Sequence, residues 1–273
     1  MKAVAETLGV ARSNLIARRG ATASSRGLYR KAEDAILLPA IRAVVDARPS
    51  YGYRRVTALV NRLRRSEGAP VVNPKRVLRI MRAHGLTLAA HTALRPSRTH
   101  DGVVIALRSN VRWCSDHLEL HCRDGAVVRV LFALDACDRE VIAWSATTTG
   151  VTSEMVRDLM LACVERRFGA TRVRHPVEWL SDNGSAYIAK PTREMAAALE
   201  LRLAFTPVRS PQSNGISEAF VKTLRRDYAK LAVLPDAETT MALLPAWFED
   251  YNTVHPHSGL RFLSPKEFLA QCA

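Results

Sequence analysis

The amino-acid sequence predicts an α/β protein: a mixed sheet of three antiparallel strands followed by alternating helix and strand, preceded by an all-helical segment of helix-turn-helix type. Three observations predict it. From residue 111 onward, runs rich in Val, Ile and Leu are punctuated by Asp124-Gly125 and Asp138-Arg139, the spacing of a strand meander. Between residues 34 and 85 apolar residues instead recur at helical intervals. The charge divides at the same place. Residues 1–100 hold twenty Lys and Arg against five Asp and Glu, whereas residues 101–273 hold twenty against twenty-one. The whole net charge of +14 thus comes from the first hundred residues, the signature of a polyanion-holding module beside a near-neutral core.

The elements follow in order. Ala5 to Leu15 has the helix, Gly turn and polar restart of a partial helix-turn-helix over residues 1–30, a remnant that needs a partner chain. A helical domain is expected over 31–86, whose basic helices fit either a helix-turn-helix DNA reader or an ordinary hairpin with a charged outer face. Residues 34–48 place Leu37, Ile41, Val44 and Val45 on one face, with Pro39 tolerated near the helix start. Tyr51-Gly52-Tyr53-Arg54-Arg55 turns into a second helix, where Val56, Leu59, Val60 and Leu63 form the apolar stripe. Gly68-Ala69-Pro70 ends it. Asn73 caps a third helix with Pro74 in its first turn, and Gly85 stops it. There Lys75, Arg79 and Arg82 line one stripe, and Val77, Ile80, Met81 and His84 the other side. Residues 87–107 form the linker, and 108–273 the second domain.

Within that domain the strands are expected over Val111–Cys122, Val127–Ala136 and Glu140–Thr148. A helix capped by Ser153 follows, with Val156, Leu159, Met160, Cys163 and Val164 as its core stripe. A short strand at Val177–Leu180, a helix over Arg193–Leu201 and a strand at Leu203–Pro207 complete the alternation. Trp247, Phe248 and Tyr251 read as core aromatics of a closing helix. The five cysteines show no C-x-x-C pair or zinc spacing, which fits reduced thiols in the cytoplasm. No apolar run approaches the length of a membrane span.

Three acids carry the chemistry. Asp116 lies within the first strand, and Asp182 just past the end of Val177-Glu178-Trp179-Leu180, where catalytic groups of open α/β sheets gather. Glu218 follows Ser213-Asn214-Gly215 and opens a basic amphipathic helix, with thirty-five residues separating it from Asp182. Lys222, Arg225 and Arg226 recur on its face. The bland reading of Glu218 and Lys222, an exposed i,i+4 pair, is worth only about 0.3–0.5 kcal/mol. Other acids have simpler explanations. Asp124, Asp135 and Asp138 flank turns, and strand alternation points Glu119 away from Asp116.

Together these residues resemble the DDE triad of bacterial insertion-sequence transposases and retroviral integrases. The likeness is strongest to the OrfB-type transposase of the insertion-sequence-three family. Trp113-x-x-Asp116, Ser181-Asp182-Asn183-Gly184, Asn214-Gly215-x-x-Glu218-x-Phe220 and Tyr251-Asn252…His255-Pro256-His257 carry it, from about Arg48 to Ala270. The resemblance implies a ribonuclease-H-like catalytic core and a helical DNA-binding domain in which Arg54, Arg55, Lys75, Arg76, Arg79 and Arg82 face DNA. It implies cleavage at element ends followed by strand transfer by the freed 3′-hydroxyl. Asp116, Asp182 and Glu218 would be both catalytic groups and ligands of two Mg2+ ions, with Mn2+ able to substitute; Lys222, Arg225 and Arg226 would contact flanking phosphates. The partners it implies are element terminal repeats, target DNA, further copies of the chain, and an upstream-frame helix-turn-helix and leucine-zipper segment joined by frameshifting. His255-Pro256-His257 reads first as structural, with DNA contact the minor reading.

Two other functions compete. A metal-dependent nuclease of the same fold would cut without joining and need no terminal repeats. A non-catalytic DNA-binding regulator would be expected to have lost one of the three acids, and this chain keeps all of them.

Overall fold

The structure, a computed structural model, describes residues 2–11, 33–89, 106–206 and 215–272. The restart at Arg12–Leu15, most of the 87–107 linker, the end of the expected strand at Pro207 and the Ser213-Asn214 turn lie outside the described residues. Contacts divide the chain into Met1–Ala40 and Ile41–Ala273. The first unit contains α1 (Lys2–Thr7) and the opening of α2 (Asp34–Ala47).

In the second unit, α3 (Tyr53–Ser66) and α4 (Pro74–Ala83) form the expected helical hairpin. The buried side of α3 is Val56, Thr57, Val60 and Asn61, and Leu63 is exposed instead of completing the stripe. Asn61 takes that place because its amide clasps the turn. Its Nδ2 donates to the Val72 carbonyl at 2.9 Å, and its Oδ1 accepts from the Val72 amide at 2.7 Å. Two such bonds satisfy a buried backbone pair that the turn would otherwise orphan. Asn73 caps α4 by accepting from the Lys75 amide. Val77, Ile80 and Met81 are buried, while His84 falls on the exposed end.

The sheet is five-stranded: β1 (Arg112–His121), β2 (Val127–Asp135), β3 (Val141–Thr147), β4 (Val177–Ser181) and β5 (Leu201–Phe205). Its order is β3-β2-β1-β4-β5, with the first three antiparallel and β1-β4-β5 parallel. Helix α5 (Ser153–Phe168) is capped by Thr152, one residue before the expected cap, and its stripe from Val156 to Val164 is buried as patterned. A one-turn α6 (Ser185–Ile188) leads into α7 (Lys190–Ala198). The helix expected over Arg193–Leu201 therefore begins and ends earlier. Glu200 turns at φ 61°, releasing Leu201 into β5. Helices α8 (Gly215–Asp227), α9 (Ala237–Thr253) and α10 (Pro265–Cys272) complete the chain.

Two cores sandwich the sheet. Trp113, Leu131, Trp179 and Leu201 pack under α5 and α7. On the opposite face Cys114, Leu118, Phe132 and Leu180 pack under Phe220 and Leu224 of α8 and Leu244, Phe248 and Tyr251 of α9. The two faces follow the odd and even positions of β1 and β4, as the pleat requires. Phe220 lies 4.5 Å from Phe132 by ring centroids and is 2% exposed. Burying a side chain of that size contributes about 1.5–3 kcal/mol and fixes the start of α8 against β2.

The hairpin of α3 and α4 packs closely on the elements that follow it. It shares one compact unit with the sheet. Arg48 is bonded to Asp250, Tyr51 to His255 (2.7 Å), Arg55 to Asp227 (3.0 Å) and Arg62 to Glu267 (2.5 Å). Asn252 makes a second amide clasp, giving to the Val141 carbonyl and accepting from its amide where the β2-β3 register shifts. No helix among the described residues is long and apolar enough to cross a membrane.

Candidate active site and nucleic-acid interface

Strand register sets the first two acids. In the parallel β1-β4 pair Arg112 faces Glu178, Trp113 faces Trp179 and Cys114 faces Leu180. Carried two residues further, the same register brings Asp116 level with Asp182. Both share the parity of Cys114 and Leu180 and hence their face of the sheet, the face that α8 covers. Glu218 sits in the first turn of α8, two residues before Phe220. The phenyl ring that anchors the helix thus also fixes the turn that bears Glu218 against the sheet.

The electrostatics agree with that convergence. Burial raises the Asp116 carboxyl above the ordinary carboxylate value, the His117 amide opposes the rise by donating to its Oδ1 at 2.8 Å, and Asp182 and Glu218 each add to it. Asp182 Oδ1 accepts from the Gly184 amide at 3.0 Å. Glu218 is held by Lys222 at 3.1 Å. Among the described residues no three Asp, Glu, His or Cys side chains close on a common metal position. Asp116 and Asp182 are aligned by the sheet, and Glu218 is engaged with its own helix.

Beneath the acids lies a bond that the sequence did not reveal. The Tyr187 hydroxyl, in α6, lies 2.9 Å from the Ser115 Oγ, which itself donates to the Phe132 carbonyl. Both side chains are buried. The only signal for it in the sequence is a tyrosine five residues after Asp182 and a serine immediately before Asp116.

The expected DNA-facing residues divide into two groups. Arg54, Lys75, Arg82, Lys222 and Arg225 are exposed, and Arg76 and Arg79 are half-buried. Arg55 has a different place. Its guanidinium pairs with the buried Asp227 and lies 5.3 Å from the centroid of the Tyr51 ring. Arg226 grips the same carboxylate through Nε and Nη2, both at 2.6 Å. These two arginines neutralise a carboxylate that could not otherwise be buried, so Arg55 and Arg226, both expected to face DNA, share an internal acid partner. His255 and His257 are buried against the same cluster, and their Nε2 atoms have no hydrogen-bond partner. Asp135 and Asp138 exceed their expected role in turns. Both are fully buried, and Asp138 takes both Nη atoms of Arg167 at 3.0 Å.

Comparison with known proteins matches these regions to families. Residues 106–211 and 199–265 match integrase core domain models, and residues 31–92 match an HTH-like domain model. Transposase InsD of insertion element IS2 from Escherichia coli is 50% identical over 245 residues, 89% of this chain and 81% of that protein. An uncharacterized protein of insertion element IS136 from Agrobacterium tumefaciens is 56% identical over 187 residues, 68% of this chain and 96% of that one. A chain of the simian T-cell lymphotropic virus intasome, at 15% identity, superposes with a TM-score of 0.50 over 84% of this chain and 73% of its own. That likeness bears on fold alone, and the fold is ribonuclease-H-like. Being 50% identical to InsD over 89% of its length, the chain belongs to the insertion-sequence-three transposases of the DDE integrase superfamily, polynucleotidyl transferases that move DNA elements.

Proposed function

We propose that Asp116, Asp182 and Glu218 are the catalytic triad of this transposase and together hold two divalent cations, Mg2+ or Mn2+, for cutting at element ends and joining to target DNA. The observation that supports the reading is the β1-β4 register, whose continuation two residues past Cys114 and Leu180 sets Asp116 level with Asp182, together with the influence of both Asp182 and Glu218 on the Asp116 carboxyl. The donor set fits a hard cation, because all three ligands are carboxylate oxygens. The burial that raises the Asp116 carboxyl is a cost that a bound cation would relieve. Such ions activate an attacking water or 3′-hydroxyl and stabilise the leaving 3′-oxygen.

The chain's own residues do the rest. Asp116 and Asp182 are presented by rigid strands, and the Gly184 amide fixes one Asp182 oxygen. Glu218 exchanges Lys222 for the metal site, a small loss because exposed i,i+4 pairs contribute about 0.3–0.5 kcal/mol. Lys222 and Arg225 are then left to hold phosphates beside the scissile one. Arg54, Lys75, Arg76, Arg79 and Arg82 on the hairpin bind element terminal repeats. Joining two ends requires at least two copies on DNA, with an upstream-frame helix-turn-helix and leucine-zipper partner supplying further end recognition.

The test is an assay with labelled element-end DNA and Mg2+, comparing the natural chain with Glu218→Gln. Joined products from the natural chain alone support the reading. Cleavage without joining would favour the nuclease, and joining by the variant would remove Glu218 from the triad.

A further inference from the structure

A cavity of about 260 Å³ opens between α3 and the C-terminal segment, outside the triad. Arg54, Arg62, Arg65 and Arg261 supply its polar lining, and Ala58, Pro74, Phe262 and Leu263 its apolar wall. The single acid there, Glu267, is already occupied: it takes Arg62 at 2.5 Å and the Ser264 amide at 2.8 Å. Arg54, Arg65 and Arg261 have no ion pair with an acid among the described residues. The lining therefore combines an excess of cations with apolar side chains.

Its wall is also strained. Arg261 and Phe262 both adopt the left-handed region, with φ 55° and 66°. Two successive non-glycine residues there are sterically strained. The conformation is enforced by backbone bonds from Phe262 to the His257 carbonyl (2.8 Å) and from Leu263 to the Leu260 carbonyl (3.0 Å), and by the His257–Leu263 bridge. It brings Arg261 and Phe262 side by side into the cavity lining, a cation beside an aromatic ring.

We propose that this cavity receives one nucleotide of the bound DNA, turned out of its stack, with its base against Phe262 and Pro74 and its phosphates on Arg54, Arg65 and Arg261. The volume lies below the roughly 300–1,000 Å³ of typical small-molecule pockets, which suits one nucleotide and excludes a peptide helix. Aromatic and apolar walls accept a base face, and guanidinium groups accept phosphate oxygens. An unstacked nucleotide presents both surfaces at once; a paired one presents only its backbone. This inference rests on the hairpin binding DNA, because Arg54 belongs to both surfaces.

The experiment uses the full chain without divalent metal, so that binding alone is read. Two fluorescein-labelled duplexes of one sequence are compared, one fully paired and one with a single bulged 2-aminopurine. The expected result is a preference for the bulged duplex on the order of ten-fold, with a change in 2-aminopurine fluorescence on binding. Phe262→Ala removes both the preference and the fluorescence change and leaves affinity for the paired duplex intact. The exposed pair Arg65→Glu and Arg261→Glu gives a second test that does not disturb the buried core. Equal binding of both duplexes, or a preference that survives both variants, overturns the pocket and leaves the hairpin reading standing. Bulge binding with no paired-duplex binding overturns the hairpin reading and, with it, the pocket as built on Arg54. Binding of neither duplex overturns both.

Discussion

The Tyr187 hydroxyl lies 2.9 Å from the Ser115 Oγ in the buried layer directly beneath the acids. Ser115 precedes Asp116 on β1. Tyr187 lies in the helix whose leading residue, Gly184, gives its amide to Asp182. One bond thus ties the segments that carry two of the three carboxylates. Tyr187→Phe keeps the ring and its packing, and Ser115 keeps the Phe132 carbonyl, so the stability loss should be near the 1 kcal/mol of an ordinary hydrogen bond. The larger effect falls on the spacing of Asp116 and Asp182. The variant should need several-fold more Mn2+ for half-maximal strand transfer and regain most of its rate at saturating metal. An unchanged metal dependence would make the bond merely structural.

Gly184 needs to be glycine for a reason unrelated to backbone freedom. Its φ of −58° suits any residue. A Cβ there would instead meet Asp182 Oδ1 at 3.0 Å, the oxygen that the Gly184 amide already holds. Gly184→Ala should therefore displace the carboxylate while leaving the fold intact. We expect strand transfer to fall at least ten-fold with a thermal midpoint within a few degrees of the natural chain. Full activity in the variant would mean that Asp182 tolerates rotation, and would weaken its assignment as a fixed ligand.

What the sequence made legible was what period and spacing encode. Strand alternation and the apolar stripe of α5 located both cores, and the motifs around Asp116, Asp182 and Glu218 singled these three out as candidates. Side chains that act across long sequence distances were not legible. Arg55 looks like any arginine on a basic helix until Asp227, 172 residues away, is folded against it. Asn61 reads as polar surface until its amide closes on Val72. The Ser115–Tyr187 bond spans 72 residues and leaves no periodic trace. Tertiary pairing decided each of these, and local propensity carries no information about it.

Arg55 separates the two readings of a basic helix. Asp227 is 1% exposed, and it keeps Arg226 when Arg55 is removed. Arg55→Ala should thus cost about 1–3 kcal/mol, less than the roughly 3–5 kcal/mol of leaving a buried charge wholly unpaired. Chemical denaturation would read that loss. DNA affinity measured on the folded fraction should stay within two-fold of the natural chain, whereas Arg54→Ala and Lys75→Ala should lower affinity and reduce its salt dependence. A drop in affinity for Arg55→Ala without loss of stability would place it in the DNA-facing set.

The buried histidines set the acid limit of the fold. Burial holds His255 far below the ordinary imidazole value and His257 at about 3, with each ring near other cations, Arg55 among them. Both are neutral when folded and titrate near pH 6.5 when unfolded. Their contribution is therefore fully present above pH 6.5 and is lost progressively as pH falls toward 3. Asp135 acts in the opposite sense. Burial first, then Asp138, pushes its carboxyl up to about 6, so its ionisation favours the unfolded chain as pH rises between about 4 and 6. Two histidines with larger shifts outweigh one carboxyl. Urea midpoints should fall steadily from pH 7 to pH 4.5, and the double variant His255→Asn and His257→Asn should flatten that slope while starting from a lower midpoint at pH 7. A slope unchanged in the double variant would show that the two histidines do not set the acid limit.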